Sequence, residues 1–156
     1  MADSIDRGAL EDAPLSGSNA PYAAELAFAL SLADRADAIS LSRYQALDLE
    51  ITTKPDNTPV TDADKAVERA IIDAIAAQYP NDGVVGEEFG SNGGKDRYWI
   101  IDPIDGTKNF LRGVPTWATL IGLMEKQADG SERVVVGVVS APALFRRWYA
   151  FEGGGA

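Results

Sequence analysis

Asp102 and Asp105 stand three residues apart in the run Trp99-Ile100-Ile101-Asp102-Pro103-Ile104-Asp105-Gly106-Thr107. Upstream, Glu87 and Glu88 end a second short apolar run, Val84-Val85-Gly86. Hard divalent cations bind sets of oxygen donors held on rigid backbone. Asp102 and Asp105 could present two carboxylates to one cation, with the Ile104 carbonyl between them as a third oxygen. Pro103 fixes its own φ and stiffens the segment. Gly106 lets backbone come close to a phosphate. Two strand ends converging on one spot would support metal-dependent chemistry on a phosphate group.

Each piece also has an ordinary reading. An Asp, a proline and a following glycine make good turn grammar. Two glutamates at a strand end are usually a solvated edge, and a single lysine such as Lys54 or Lys108 is usually on the surface. Asp64 could simply favour the N-terminus of a helix. Yet one turn rarely needs two acids, an apolar strand before them and Gly-Thr after them. Two rival sites fail on spacing. An EF-hand needs an acid at its twelfth position, and the twelfth residue from Asp102 is Gly113. A Walker phosphate loop needs Ser or Thr after Gly-Lys, and Gly94-Lys95 is followed by Asp96.

Composition narrows the chemistry further. The chain has 156 residues, no cysteine and no histidine. That removes disulfides, thiolate zinc sites, phosphohistidine and Ser-His-Asp triads. Hydrolysis here must run on carboxylates, hydroxyls and metal ions. The net charge of −10 argues against nucleic acid and anionic membrane as partners. No apolar run is long enough to span a membrane, and Met1 to Asn19 lacks the form of a signal peptide. The expectation is a cytoplasmic chain of one domain, with residues 1–20 a disordered acidic tail.

The elements that must position these residues follow from periodicity. Leu26, Leu30, Ala33, Ala36 and Ile39 mark a long helix from Pro21 to about Ala46. Leu47 to Thr53 alternates and predicts a half-buried strand. Lys54 to Pro59 is turn-rich. Thr61, with Asp64 three residues on, predicts a capped second helix with Val67, Ala70, Ile71, Ala74 and Ile75 on its apolar face. Short strands are expected at 84–86 and 98–101, with Ser91 to Asp96 a loop. Longer ones are expected at 116–124 and 133–140, joined by the Asp129-Gly130 hairpin, with a last strand at 146–151. Two helices followed by strands predict an α+β fold, the helices packed on a largely antiparallel sheet.

Taken together, Val60-Thr61-Asp62-Ala63-Asp64, Gly86-Glu87-Glu88 and Asp102 to Thr107 resemble the inositol monophosphatase-like family of lithium-sensitive phosphatases. The resemblance runs over about residues 22–156. Thr107-Lys108-Asn109-Phe110 and Ser140 to Trp148 look most like the histidinol-phosphatases of the actinobacterial type. The resemblance implies that Glu87, Asp102 and the Ile104 carbonyl hold one Mg²⁺, and that Asp102 and Asp105 hold a second. It implies that Thr107, with Asp64 behind it, orients a water that Glu87 also positions. The Gly106 and Thr107 amides, with Glu87, Ile104 and Asp105, would meet the substrate, a small phosphorylated metabolite.

The implied reaction is hydrolysis of L-histidinol phosphate in histidine biosynthesis. An inositol-1-phosphate or sugar phosphatase is the alternative. The family's Trp-Asp motif is absent, because Trp99, Trp117 and Trp148 are followed by Ile, Ala and Tyr. Residues 21–156 thus read as the N-terminal half of the family's layered sandwich, without its C-terminal α/β half. That leaves a third reading, a non-catalytic half-domain that binds metal weakly, completed as a homodimer or by a complementing C-terminal half.

Overall fold

The computed structural model describes residues 20–156, so the acidic tail expected at residues 1–20 lies outside it apart from Ala20. The elements are α1 (Ala23–Arg43), β1 (Ile51–Thr53), β2 (Pro59–Thr61), α2 (Asp62–Gln78), β3 (Gly83–Gly86) and β4 (Gly90–Asn92). There follow β5 (Arg97–Asp105), α3 (Thr107–Leu111), β6 (Ala118–Lys126), β7 (Glu132–Ala141) and β8 (Arg146–Phe151). A 3-10 turn at Pro142–Leu144 joins the last two strands. Among the described residues, no helix is long and apolar enough to cross a membrane.

Six strands form one sheet in the order β4-β3-β5-β6-β7-β8. All neighbours are antiparallel except β3 and β5, which run parallel. The α+β class and the largely antiparallel sheet are as the sequence implies. Strand side chains alternate between faces. On one face Trp99, Ile101, Ile121, Leu123, Val136 and Val138 join Leu26, Leu32, Val67, Ile71 and Ile75 in a single core. On this face α1 lies over β6, β7 and β8, and α2 over β5. Ala29, Ala33 and Ala36 give α1 a narrow buried stripe, which permits close packing. The reciprocal capping box at Thr61 and Asp64 starts α2 where the spacing predicts it, a device worth roughly 1 kcal/mol.

Three expectations differ from the structure. Only Ile51–Thr53 of the 47–53 strand is extended; all three are exposed and Leu47 is 106% exposed. Gln45, at φ 62°, turns the chain after α1. β1 then pairs with β2 in a separate two-stranded ribbon, off the main sheet. The loop expected at 91–96 instead begins inside β4, whose residues Gly90–Asn92 pair with β3. Gly-Ser-Asn carries no apolar alternation from which to read a strand. Most consequentially, the turn expected at Asp102–Asp105 is the end of β5.

Trp99 is the centre of the packing. It is fully buried, meets Phe28 and Tyr79 at ring-centroid distances of 5.6 and 5.9 Å, and donates from Nε1 to Asp82 Oδ2 at 3.0 Å. Trp99→Ala should lower unfolding stability by about 3–5 kcal/mol. Leu47→Ala should change it by no more than about 0.5 kcal/mol. Urea unfolding followed by circular dichroism measures both, and equal effects would contradict this core.

Candidate active site

Residues three apart on a regular strand face opposite ways. Asp102 and Asp105 escape that rule through a bulge. Asp102 pairs with Leu120 and Asp105 with Ala118, so three steps on β5 face two on β6. The extra residue returns Asp105 to the side of the sheet on which Asp102 lies. Pro103 suits the irregularity because it has no N–H to place in the ladder. Its carbonyl accepts from the buried Thr119 hydroxyl at 2.9 Å, which ties the bulge to β6. Just beyond, Gly106 sits at φ 89°, and a Cβ there would lie 3.1 Å from the Thr116 carbonyl oxygen. Only glycine meets both demands, and the chain turns at once into α3.

Two acids of α2 support the surrounding loops. Asp64 and Glu68 lie four residues apart, on one face of the helix, and both are buried. Asp64 Oδ2 accepts from the Thr61 N–H at 2.8 Å and from its hydroxyl at 2.6 Å. Its Oδ1 lies 3.2 Å from Thr107 Oγ1, which also lies 3.0 Å from the Ile104 carbonyl. Burial raises the Asp64 pKa, against the lowering effect of its Thr61 and Thr107 hydrogen bonds. Glu68 Oε2 and Oε1 accept from the Glu88 and Phe89 N–H groups at 2.8 and 2.9 Å. A Cβ on Gly86 would lie 1.9 Å from Glu68 Oε1, so glycine there makes room for this grip.

Negative charge is crowded between these supports. Burial, contact with the Glu87 carboxyl, and the charges of Glu87, Asp105 and Asp64 push Asp102 up to about 7. Asp102 Oδ1 is buried without a hydrogen-bond partner. Lys54, carried by the β1–β2 ribbon, reaches Glu87 Oε1 and Glu88 Oε1 at 2.7 Å each. Burial works against the Lys54 charge, but the hydrogen bonds and charges of both glutamates outweigh it and raise its pKa. Burial also raises Glu88, with Lys54 opposing. A cavity of about 350 Å³ opens over the cluster, lined by Asp56, Thr58, Glu87, Gly106, Thr107 and Lys108 among others.

The structure thus brings Glu87, Asp102, Asp105, Asp64, Thr107 and the Ile104 carbonyl into one neighbourhood. Asp102 and Asp105 do not line the cavity. Among the described residues, no three acidic side chains stand where they could hold a metal ion together. The donor set nonetheless suits a hard cation. It is all oxygen, it is over-charged, and it contains an orphaned buried carboxylate oxygen of the kind a cation would satisfy. Glu68 and the ribbon residues Asp56 and Thr58 were not singled out from sequence. The one available signal for Glu68 is a charge on the apolar face of α2, one turn beyond Asp64.

A helix-backed sheet thus gathers carboxylates where β3 and β5 end. The model of the inositol monophosphatase family matches residues 23–156, and the chain belongs to that family. It is 56% identical over 135 residues to a histidinol-phosphatase of Streptomyces coelicolor, covering 86% of this chain and 50% of that protein. It is 59% identical over 133 residues to one from Mycobacterium tuberculosis, covering 85% and 49%. Among solved structures, the Thermotoga maritima IMPase TM1415 superposes with a TM-score of 0.75 at 34% identity, over 85% of this chain and 50% of that one. The chain spans about half the length of the curated relatives it matches.

Two outcomes test this geometry. Gly86→Ala should push Glu68 off the Glu88 and Phe89 amides, leaving buried polar groups unpaired at a cost of roughly 1–3 kcal/mol. Hydrogen exchange at those two amides should quicken more than at the rest of the sheet; unchanged exchange there would refute the grip. Asp102 gives a pH dependence. A carboxyl with a raised folded pKa stabilises the fold fully below its unfolded value, and that stabilisation is lost as the pH rises through the folded one. For Asp102 the window runs from 3.8 to about 7. In EDTA, Asp102→Asn should flatten the fall in urea midpoint across that window, and an unaltered slope would refute the crowding.

Proposed function

We propose that the chain carries a large part of a Mg²⁺-dependent phosphomonoesterase site that acts on L-histidinol phosphate, releasing L-histidinol and phosphate. The observation that carries the substrate assignment is the identity of 56% and 59% to histidinol-phosphatases, against 34% to the Thermotoga IMPase. Glu87, Asp102 and the Ile104 carbonyl would hold one Mg²⁺, and Asp102 with Asp105 a second. Bound there, the cations would offset the charge of the phosphate and lower the pKa of a water.

The chain's own groups account for the rest. Thr107 donates its proton to Asp64 Oδ1, which frees an oxygen lone pair to accept a proton of the attacking water. Burial makes Asp64 a stronger proton acceptor than an exposed aspartate. Glu87 takes the other side of that water, and Lys54 fixes the Glu87 carboxylate at 2.7 Å. The Gly106 and Thr107 amides face the phosphate oxygens. The water oxygen bonds to phosphorus as its proton passes towards Thr107 and Glu87, the ester P–O bond breaks, and the leaving alkoxide takes its proton from solvent. No histidine or cysteine is present to form a covalent phosphoenzyme, and direct attack by water requires none.

A second reading has an observation of its own. The chain matches about half the length of these relatives, and no three of its described acids stand ready to share a cation. On that reading it is a half-domain that binds metal weakly and does not turn over alone.

Phosphate release from L-histidinol phosphate, inositol-1-phosphate and a sugar phosphate, with and without Mg²⁺, tests both. The expected result is Mg²⁺-dependent release, greatest with L-histidinol phosphate, inhibited by Li⁺, and reduced at least about 100-fold by Asp102→Asn. A folded chain that releases phosphate from none of the three supports the half-domain reading.

A further inference from the structure

A phosphate held at Gly106 and Thr107 leaves the rest of its molecule in the cavity above them. That cavity, of about 350 Å³, has the size of a pocket for a small metabolite. Its lining includes two acids, Asp56 and Glu87. They are not equivalent. Glu87 is already engaged, because Lys54 Nζ holds its Oε1 at 2.7 Å. Asp56 stands at the tip of the β1–β2 ribbon, between strands that end at Thr53 and begin at Pro59.

The tip is built to present this carboxylate. The Lys54 N–H donates to the Thr58 carbonyl at 2.8 Å, and the Asn57 N–H to the Lys54 carbonyl at 2.9 Å, which closes the loop. Asn57 makes the turn at φ 65°, a conformation asparagine tolerates better than most residues. The Thr58 N–H and hydroxyl both donate to Asp56 Oδ1, at 3.0 and 2.6 Å. These bonds hold the Asp56 carboxyl below the ordinary carboxylate value, so it is ionised at neutral pH. Among the described residues, Oδ2 receives no hydrogen bond and no cationic side chain pairs with Asp56. Lys54 lies two positions away, but its ammonium is directed to Glu87 and Glu88.

A carboxylate with one oxygen anchored and the other open suits an ammonium group, which brings three donors and a charge. A metal ion would need further oxygen donors converging on the same point, and no such group of acids stands at Asp56. We infer that Asp56 is a specificity residue, receiving the ammonium group of an aminoalkyl phosphate whose phosphate lies at Gly106 and Thr107. The inference rests on the phosphatase reading above and adds to it the residue that selects the leaving group. In L-histidinol phosphate the ammonium is on the carbon next to the one that carries the ester oxygen, so a single cavity must meet both the cation and the phosphate. Inositol-1-phosphate carries no cation. Asp56 discriminates between the two by charge, from a ribbon that lies off the main sheet.

Calorimetric titration of the full chain in Mg²⁺ tests this with three ligands that cannot turn over. They are the phosphonate of L-histidinol phosphate, in which CH₂ replaces the ester oxygen, the same phosphonate without its amine, and inorganic phosphate. The amine should tighten binding about fivefold, as an exposed ion pair does, and by less in about 1 M salt. Asp56→Asn keeps an oxygen to accept from Thr58 and removes the charge. It should abolish the difference between the two phosphonates and leave the Kd of the deaminated one and of phosphate unchanged. A difference that survives Asp56→Asn would overturn the inference, as would its absence from the parent chain, and in both cases bound phosphate would leave the catalytic proposal standing. An equal loss of affinity for all three ligands in Asp56→Asn would overturn the role in specificity. If none of the three binds, the catalytic proposal falls and the inference with it.

Discussion

One extra residue in β5 decides whether there is a site at all. Without it, the alternation of a strand would send Asp102 and Asp105 to opposite faces of the sheet. With it, both lie on one side, since their partners Leu120 and Ala118 are two residues apart on β6. The bulge leaves the Pro103 carbonyl needing a donor, and the buried Thr119 hydroxyl supplies it. Ile104 in turn is buried with Phe110 and Trp117, so the backbone around its carbonyl is clamped from below. The spacing Asp-Pro-Ile-Asp thus encodes an irregular strand and a pair of acids at once, and neither is separable from the other.

The helix α2 is the second fixed body. Its Thr61–Asp64 box stabilises its own start, and the other oxygen of the same carboxylate faces Thr107. One turn later Glu68 holds the backbone after Glu87. Two acidic loops from different strands are therefore aligned by a single rigid helix, whose apolar residues Val67, Ile71 and Ile75 are sealed into the core. Such support sets like charges close together, and the protein bears the consequence. Asp102 is lifted to about 7 and keeps one oxygen unpaired, while a single cation, Lys54, pairs with both glutamates. The arrangement is electrostatically unsatisfied by its own residues, and this is the physical ground for the cations proposed above.

Local patterns made much of this legible in the sequence. The capping box, the apolar faces of α1 and α2, and the Asp129-Gly130 hairpin all depend on neighbours within a few residues. The acids could be picked out because their types and order are chemically unusual. What escaped notice depends on partners distant in sequence. The bulge exists only relative to β6, the β1–β2 ribbon only because the chain turns at Gln45, and β4 only because Gly90–Asn92 finds β3. Glu68 reads as one more polar residue of a helix until the Glu88 and Phe89 amides, about twenty positions on, are seen beneath it.

The glycines separate what the chain requires of itself from what it leaves for something else. Gly106 is required by its positive φ and by the nearby Thr116 carbonyl, and Gly86 by the Glu68 carboxylate. Both requirements are met inside the chain, next to the acids. Gly122 and Gly137 meet no such requirement, yet they occupy central strands, where a β-branched residue would stabilise the sheet better. The helix-covered face shows the contrast, because at equivalent depth it is filled by Ile121, Leu123, Val136 and Val138. The sheet thus builds one face from large side chains and hollows the middle of the other. The hollow face and the unsatisfied acids adjoin at Asp102, which lines the one and is crowded by the others.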